Sequence, residues 1–167
     1  MLKNTLLALA MMACVGPIAV ESAAAQSTDR YIKTPTGYLM VLRHGDDVLA
    51  QLEQLTVRER IPSASITGIG FAREATFGFY DFGKKAFDPK TFRNVEVASL
   101  TGSLAWKEGK PSIHVHGTVT DGTFATYGGH LLGLVIGTGS AEITVVLHDK
   151  PLERAVDPSI GANVLGL

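Results

Sequence analysis

Two histidines of this chain, His114 and His116, have the spacing of metal ligands. They lie in a stretch, residues 112–119, in which apolar and polar side chains alternate. In a β-strand such alternation places both imidazoles on one face, with Cα atoms about 6.5 to 7 Å apart. Two imidazoles at that separation can converge on one metal ion, each with a nitrogen about 2.0 to 2.1 Å from it.

A third histidine, His130, completes a candidate metal site. The Asp-Gly pair at 121–122 and the Gly-Gly pair at 128–129 are turn signals that would fold the chain back and bring His130 beside the pair. Three histidine ligands favour zinc or another borderline divalent metal and leave a coordination position open to water or a ligand. Because His-x-His is also common on solvated polar strand faces, the residues alone leave both interpretations open. The other histidines, His44 and His148, are interpreted as solvated side chains.

The histidines need a sheet to position them, and the composition favours one. A chain of 167 residues with 46% hydrophobic and 19% charged residues suits a single domain with a real core. Its 18 glycines and 7 prolines are typical of strands joined by tight turns. Strands are predicted at residues 37–42, 65–70, 75–80, 95–104, 112–119 and 143–147, with a charged connection at 81–93. Residues 131–136 are apolar on both faces and fit either a strand or a core helix, with the strand preferred.

One helix is predicted early in the domain. Asp46 or Asp47 can cap its amino terminus, and apolar side chains recur at helical spacing from Val48 to Leu55. Pro62 marks the end of the helical region. The apolar stripe is expected to pack on the sheet while the polar side chains face water.

Residues 1–25 have the pattern of a secretory signal peptide. Lys3 supplies the positive charge, residues 6–12 the apolar run, and the alanines at 23–25 a cleavage site. The apolar run stops well short of the roughly 20 residues that span a bilayer, so we expect a periplasmic or secreted domain without stable membrane insertion. Cleavage would remove the single cysteine and with it any disulfide. The alternative is lipid attachment at Cys14, which follows a loose lipobox.

The charge balance argues against a nucleic-acid partner. The chain has 15 Lys and Arg against 16 Asp and Glu, a formal net charge of −1. Proteins that bind nucleic acid draw much of their affinity from clustered basic residues, and the sequence contains no such run.

Several segments resemble the plants-and-prokaryotes conserved (PPC) domain, in the order in which the family has them. The resemblance extends from about residue 38 to residue 146 and is carried by residues 42–48, 68–70, 79–81, 97–103 and 114–132. It implies an α+β fold with a mixed, largely antiparallel sheet, one or two packed helices, and assembly as a homotrimer. In some members three histidines hold a metal, and the matching positions here are His114, His116 and His130.

The resemblance also sets the expected domain organisation. A signal peptide at 1–25 and a mobile lead-in at 26–36 precede a PPC-like domain at 37–150, and a C-terminal extension covers 151–167. Plant members add an AT-hook that enters the minor groove of DNA. The sequence has no Arg-Gly-Arg-Pro core of that kind, so the resemblance does not carry DNA binding with it.

Two hypotheses of different classes describe the function. The first is a non-enzymatic module of the cell envelope that binds a divalent metal, with zinc the expected ion, and a small ligand. The second is a zinc-dependent hydrolase or lyase in which Glu96 or Asp121 moves the proton while the metal activates water. DNA binding ranks below both. The sequence does not name the ligand or the substrate.

Overall fold

A computed structural model describes residues 29–167 of the protein. Eight strands and one helix form in this part of the chain. In chain order they are β1 (Tyr31–Thr34), β2 (Gly37–Arg43), α1 (Val48–Arg58), β3 (Ala64–Asp81), β4 (Ala86–Lys107), β5 (Lys110–Thr120), β6 (Thr126–Leu147), β7 (Arg154–Asp157) and β8 (Ala162–Leu165).

Six of the strands form one antiparallel sheet in the order β1-β2-β6-β3-β4-β5. β7 and β8 form a separate antiparallel hairpin. The fold is therefore mostly antiparallel β. The expected α+β class fits it only loosely, because α1 is the single helix within residues 29–167. The expected mixed sheet is corrected too, since every pairing between named strands there is antiparallel.

An additional pairing between β5 and β6 curls the sheet back on itself. β6 is 22 residues long, and its two halves have different neighbours. Its second half lies between β2 and β3. Its first half also pairs with β5, from His116 opposite His130 to Thr120 opposite Thr126. The last strand in the sheet order is thereby joined to a strand near its middle.

The helix α1 forms as the sequence predicts. Asp47 is its N-cap, and its Oδ1 accepts a hydrogen bond of 3.0 Å from the backbone N–H of Ala50. Val48, Leu52 and Leu55 are buried, and the helix packs against β5 and β6. This stripe therefore covers the apolar face of the same strands that carry the three histidines.

The strands are longer than predicted. Residues 65–70 and 75–80 belong to one 18-residue strand, β3, which a bulge near Gly68 and Gly70 bends without ending it. The charged segment at 81–93, expected to be a connection, is only a short turn followed by the start of β4 at Ala86. Polar side chains are compatible with a strand here because this part of β4 and the part of β3 paired with it extend beyond the core. Residues such as Asp88 and Lys90 therefore remain exposed. Residues 131–136 are strand, as predicted.

Both ends of the described chain add strands to the predicted set. The strand β1 lies inside residues 26–36, the expected lead-in, and pairs with β2. The hairpin of β7 and β8 lies inside residues 151–167, the expected C-terminal extension. No helix in residues 29–167 is long and apolar enough to cross a membrane. The predicted signal peptide and Cys14 lie outside the described residues.

Two tyrosines and a glutamate fasten the sheet to the end of the helix. The hydroxyl of Tyr31 donates to Glu59 Oε1 at 2.6 Å, and the hydroxyl of Tyr38 donates to Oε2 at 3.0 Å. Burial, and then the hydrogen bond to Glu59, raises the pKa of Tyr31 from 10.0 to about 12. The folded protein therefore holds the phenolic proton more tightly than the unfolded chain does.

This shift predicts a loss of stability in alkali. The contribution of Tyr31 is fully present below pH 10 and is lost as the pH rises towards about 12, because the unfolded chain releases its proton first. We expect the free energy of unfolding of the wild type to fall more steeply than that of Tyr31→Phe across this interval, as measured by urea denaturation. Parallel curves for the two proteins would contradict the assignment.

Candidate metal centre

The strand β5 places His114 and His116 on one face. Along this strand Val115, Gly117 and Val119 are buried, while both histidines are exposed. The predicted alternation is therefore the observed one. The buried residues hold β5 against the core, and the two imidazoles project from the opposite side.

The strand β6 brings His130 to the same place. His130 is directly opposite His116 in the pairing of β5 with β6. This pairing requires a close approach, since a Cβ atom at Gly128 would lie 2.5 Å from the carbonyl oxygen of Gly117. A glycine at 128 thus lets the turn after β5 close tightly enough to align the third histidine with the pair.

The three imidazoles converge. Nε2 of His114 lies 3.2 Å from Nε2 of His116, and one nitrogen from each of the three rings lies within 4.8 Å of the others. Two nitrogens bound to a tetrahedral zinc ion at about 2.0 to 2.1 Å are about 3.3 Å apart. The first distance matches this value, and the nitrogen of His130 lies within 4.8 Å of the other two. The residues present therefore fit a three-histidine metal site.

The protonation states suit a metal as well. Desolvation, and then the neighbouring His114 and His116, lowers the pKa of His130 to about 4. Desolvation, followed by His116 and Arg154, also lowers the pKa of His114. Both rings are therefore neutral at neutral pH, which is the form that offers a nitrogen lone pair to a cation.

A cleft of about 650 Å³ opens beside the histidines. Its walls come from the β3–β4 ribbon, from β5 and β6, and from the hairpin of β7 and β8. Phe87 contributes to the wall and stacks on His130, with ring centres 4.5 Å apart. This contact fixes the orientation of the His130 ring. Among residues 29–167, no aspartate or glutamate lines the cleft.

Arg154 is the residue of this region that sequence reasoning missed. It begins β7, lines the cleft and is 5% exposed. Its Nη1 donates to the backbone oxygen of Ser112, and its Nη2 donates to Ser103 Oγ at 2.6 Å. The local sequence around Arg154 has no pattern that predicts burial, because the contact depends on how the hairpin folds over β4 and β5.

The other candidate residues lie away from the histidines. Glu96 lines a separate groove with residues of β3 and β6, and Asp121 caps the turn after β5 by accepting hydrogen bonds from Thr123. His44 is exposed in a turn, as expected. His148 is not simply solvated, since its Nε2 lies 2.9 Å from Ser65 Oγ.

Comparison with known proteins agrees with this geometry. The pattern of the Plants and Prokaryotes Conserved (PCC) domain matches residues 30–147. A Ralstonia eutropha JMP134 protein of known structure, with a provisional DNA-binding name, is 73% identical, with a TM-score of 0.81, over 83% of this chain and 96% of its own. A protein from Archaeoglobus fulgidus, named as metal-containing, is 32% identical, with a TM-score of 0.68, over 75% of this chain and 89% of its own.

A further relative is much larger than this chain. The bifunctional protein GlmU of Synechococcus sp. is 32% identical over 129 residues, which are 74% of this chain. The match spans only 19% of the length of that relative.

Proposed function

This chain belongs to the Plants and Prokaryotes Conserved domain family, abbreviated PCC or PPC, and we propose that it is a non-enzymatic module that binds a divalent metal, zinc, through His114, His116 and His130. The observation that carries the proposal is the convergence of the three imidazoles from two strands. The Nε2 atoms of His114 and His116 lie 3.2 Å apart, a separation that suits a hydrogen bond between the rings and also two nitrogens on one tetrahedral zinc ion. The position of His130 beside this pair favours the ion, because a third ring is not needed for a hydrogen bond between two.

Zinc follows from the chemistry of the donors. Three neutral imidazole nitrogens with an open fourth position are typical of zinc, whereas calcium and magnesium prefer oxygen ligands. The metal-containing name of the Archaeoglobus fulgidus relative supports a metal in this fold. The three histidines line the cleft, so a fourth ligand reaching a metal from the cleft would be water or a small molecule.

The lining of the cleft favours binding over catalysis. A zinc-dependent hydrolase or lyase usually pairs the metal-bound water with a group that moves a proton. Glu96 and Asp121, the sequence-based candidates for that role, do not line the cleft, and no other carboxylate does so within the described residues. Turnover of ester, phosphoester or lactone substrates by the zinc-loaded protein would reverse this ranking.

The provisional DNA-binding name of the Ralstonia eutropha relative is not extended to this chain. A formal net charge of −1 and the absence of a run of basic residues in the sequence argue against the extended phosphate contacts that DNA-binding proteins use. A gel shift by the purified domain that weakens steeply with salt would restore the nucleic-acid hypothesis.

The proposal also covers the cellular location and the oligomeric state of the protein. The leader pattern of residues 1–25 supports export to the periplasm or beyond, and the family resemblance supports a homotrimer. Cell fractionation of the full chain would test the first, since a cytoplasmic, uncleaved product would contradict it. Stable membrane insertion after cleavage is not part of the proposal.

Native mass spectrometry of the protein from residue 26 to residue 167 tests metal and assembly together. We expect about one zinc ion per chain to survive dialysis, since a three-histidine site supplies most of the ligands of a tetrahedral ion. We also expect chelation to lower the melting temperature, because an ion that binds only the folded state stabilises it. A metal-free protein with an unchanged melting temperature after chelation would overturn the metal assignment, and a monomeric mass would overturn the trimer.

A further inference from the structure

The guanidinium of Arg154 is buried without a carboxylate partner. The side chain is 5% exposed, its Nη atoms donate only to the uncharged oxygens of Ser112 and Ser103, and its Nε has no hydrogen-bond partner in the described part of the chain. Burial of an unpaired charge is costly, and arginine is rarely buried unless it is paired. A position like this one points to an anion that is supplied from outside the chain.

The cleft is the place where such an anion would bind. Arg154 and the three histidines line the same cavity, and Nη1 of Arg154 donates to the backbone oxygen of Ser112, two residues before His114. A metal on the histidines would add two positive charges, and no aspartate or glutamate of the described chain lines the cavity to offset them. The electrostatic field in the cleft therefore selects for negative charge.

The remaining walls are apolar and aromatic. Phe79 and Phe82 lie at the cleft and are 80% and 62% exposed, respectively. Large apolar side chains exposed beside a cavity mark a binding surface more often than isolated ones do. Ile113 and Val164 continue the apolar lining on β5 and on the hairpin. Such walls suit the body of an organic molecule better than a bare inorganic ion.

We propose that this cleft binds a small organic carboxylate with a planar apolar body. The carboxylate faces Arg154 and the open position of the metal, and the apolar body lies against the aromatic wall. The hairpin of β7 and β8 forms one wall of this site, and it lies beyond residues 30–147, which match the family. The metal contact rests on the proposed function, while the contact with Arg154 does not.

Calorimetric titration with benzoate, alongside elemental analysis of the same sample, tests the proposal. Benzamide is the neutral control with the same ring. We expect zinc-loaded protein to bind benzoate at least about tenfold more tightly than benzamide, and Arg154→Gln to lose at least about tenfold in benzoate affinity, because a buried charge contact is removed. Arg93→Gln removes an exposed guanidinium that pairs with Glu74 and is expected to change nothing.

A second pair of variants guards against a loosened hairpin in Arg154→Gln. Val164 is 40% exposed on the cleft wall, so Val164→Glu and Val164→Gln should both fold. We expect the glutamate to weaken benzoate binding at least about fivefold relative to the glutamine, because it repels the carboxylate.

Each outcome separates the two proposals. Bound zinc with equal or absent binding of benzoate and benzamide would overturn the carboxylate site and leave the metal site standing. A metal-free protein that binds benzoate through Arg154 would overturn the metal and support the carboxylate site. Loss of both would overturn both.

Discussion

Substitution of His116 by alanine is expected to reduce the zinc content from about one ion per chain to about a tenth or less after dialysis. His116 lies between the other two ligands, since its Nε2 is 3.2 Å from that of His114 and it is paired across the strands with His130. Its removal leaves two imidazoles, too few to hold zinc against solvent. Elemental analysis of the purified variant measures the effect.

His44→Ala is the matched control for this experiment. His44 is exposed in the turn before α1, far along the chain from β5 and β6, so this variant should keep its zinc. His116 is itself exposed, and its substitution should leave the circular dichroism spectrum unchanged. Equal zinc in the two folded variants would show that His116 does not act as a ligand.

The histidine pair could be predicted from sequence because its geometry is local. Alternation along one strand fixes which side chains share a face, and the buried Val115 and Val119 between and beyond the histidines make that alternation visible. The same reasoning located α1, whose cap at Asp47 and apolar stripe are also short-range features. Placement of His130 required only that the turn after β5 form a hairpin, so that β6 pairs antiparallel with β5.

The lengths of the strands were harder to predict because they depend on distant partners. The prediction ends one strand at Gly70 and begins the next at Ala75, because glycine usually weakens a strand, whereas β3 runs through both segments. In the folded chain Gly70 allows close approach, since a Cβ atom there would lie 2.7 Å from Cα of Ala141 in β6. The glycine that predicts an interruption of the strand is required instead for the packing of β3 against β6. Local sequence does not distinguish a glycine that ends a strand from one that allows close packing.

The role of Arg154 was beyond sequence reasoning for a related reason. Its hydrogen-bond partners Ser103 and Ser112 are far from it in sequence and belong to two different strands. The hairpin that carries Arg154 lies outside the matched family region. The part of the chain that completes the cleft is therefore the part for which neither periodicity nor resemblance gave an expectation.

Substitution of Gly102 by alanine is expected to destabilise the fold by about 3 kcal/mol or more. Gly102 in β4 is opposite Val115, the residue between the two histidines of β5. A Cβ atom at this position would lie 2.1 Å from the carbonyl oxygen of His114 and 2.7 Å from Cα of Val115. These contacts are with backbone, so a side-chain rotation cannot relieve them, and β4 must move away from β5. Urea denaturation measures the loss.

The same displacement should reach the metal, which links the fold to the site. A shift of β5 moves His114 and His116 relative to His130, so the folded fraction of Gly102→Ala should also bind zinc more weakly. Gly133→Ala is the control, because Gly133 lies in β6 with no atom within 4 Å of its added Cβ; we expect a change within about 1 kcal/mol there. If Gly102→Ala matched Gly133→Ala in both stability and zinc affinity, the contact between β4 and β5 would not be what positions the histidines.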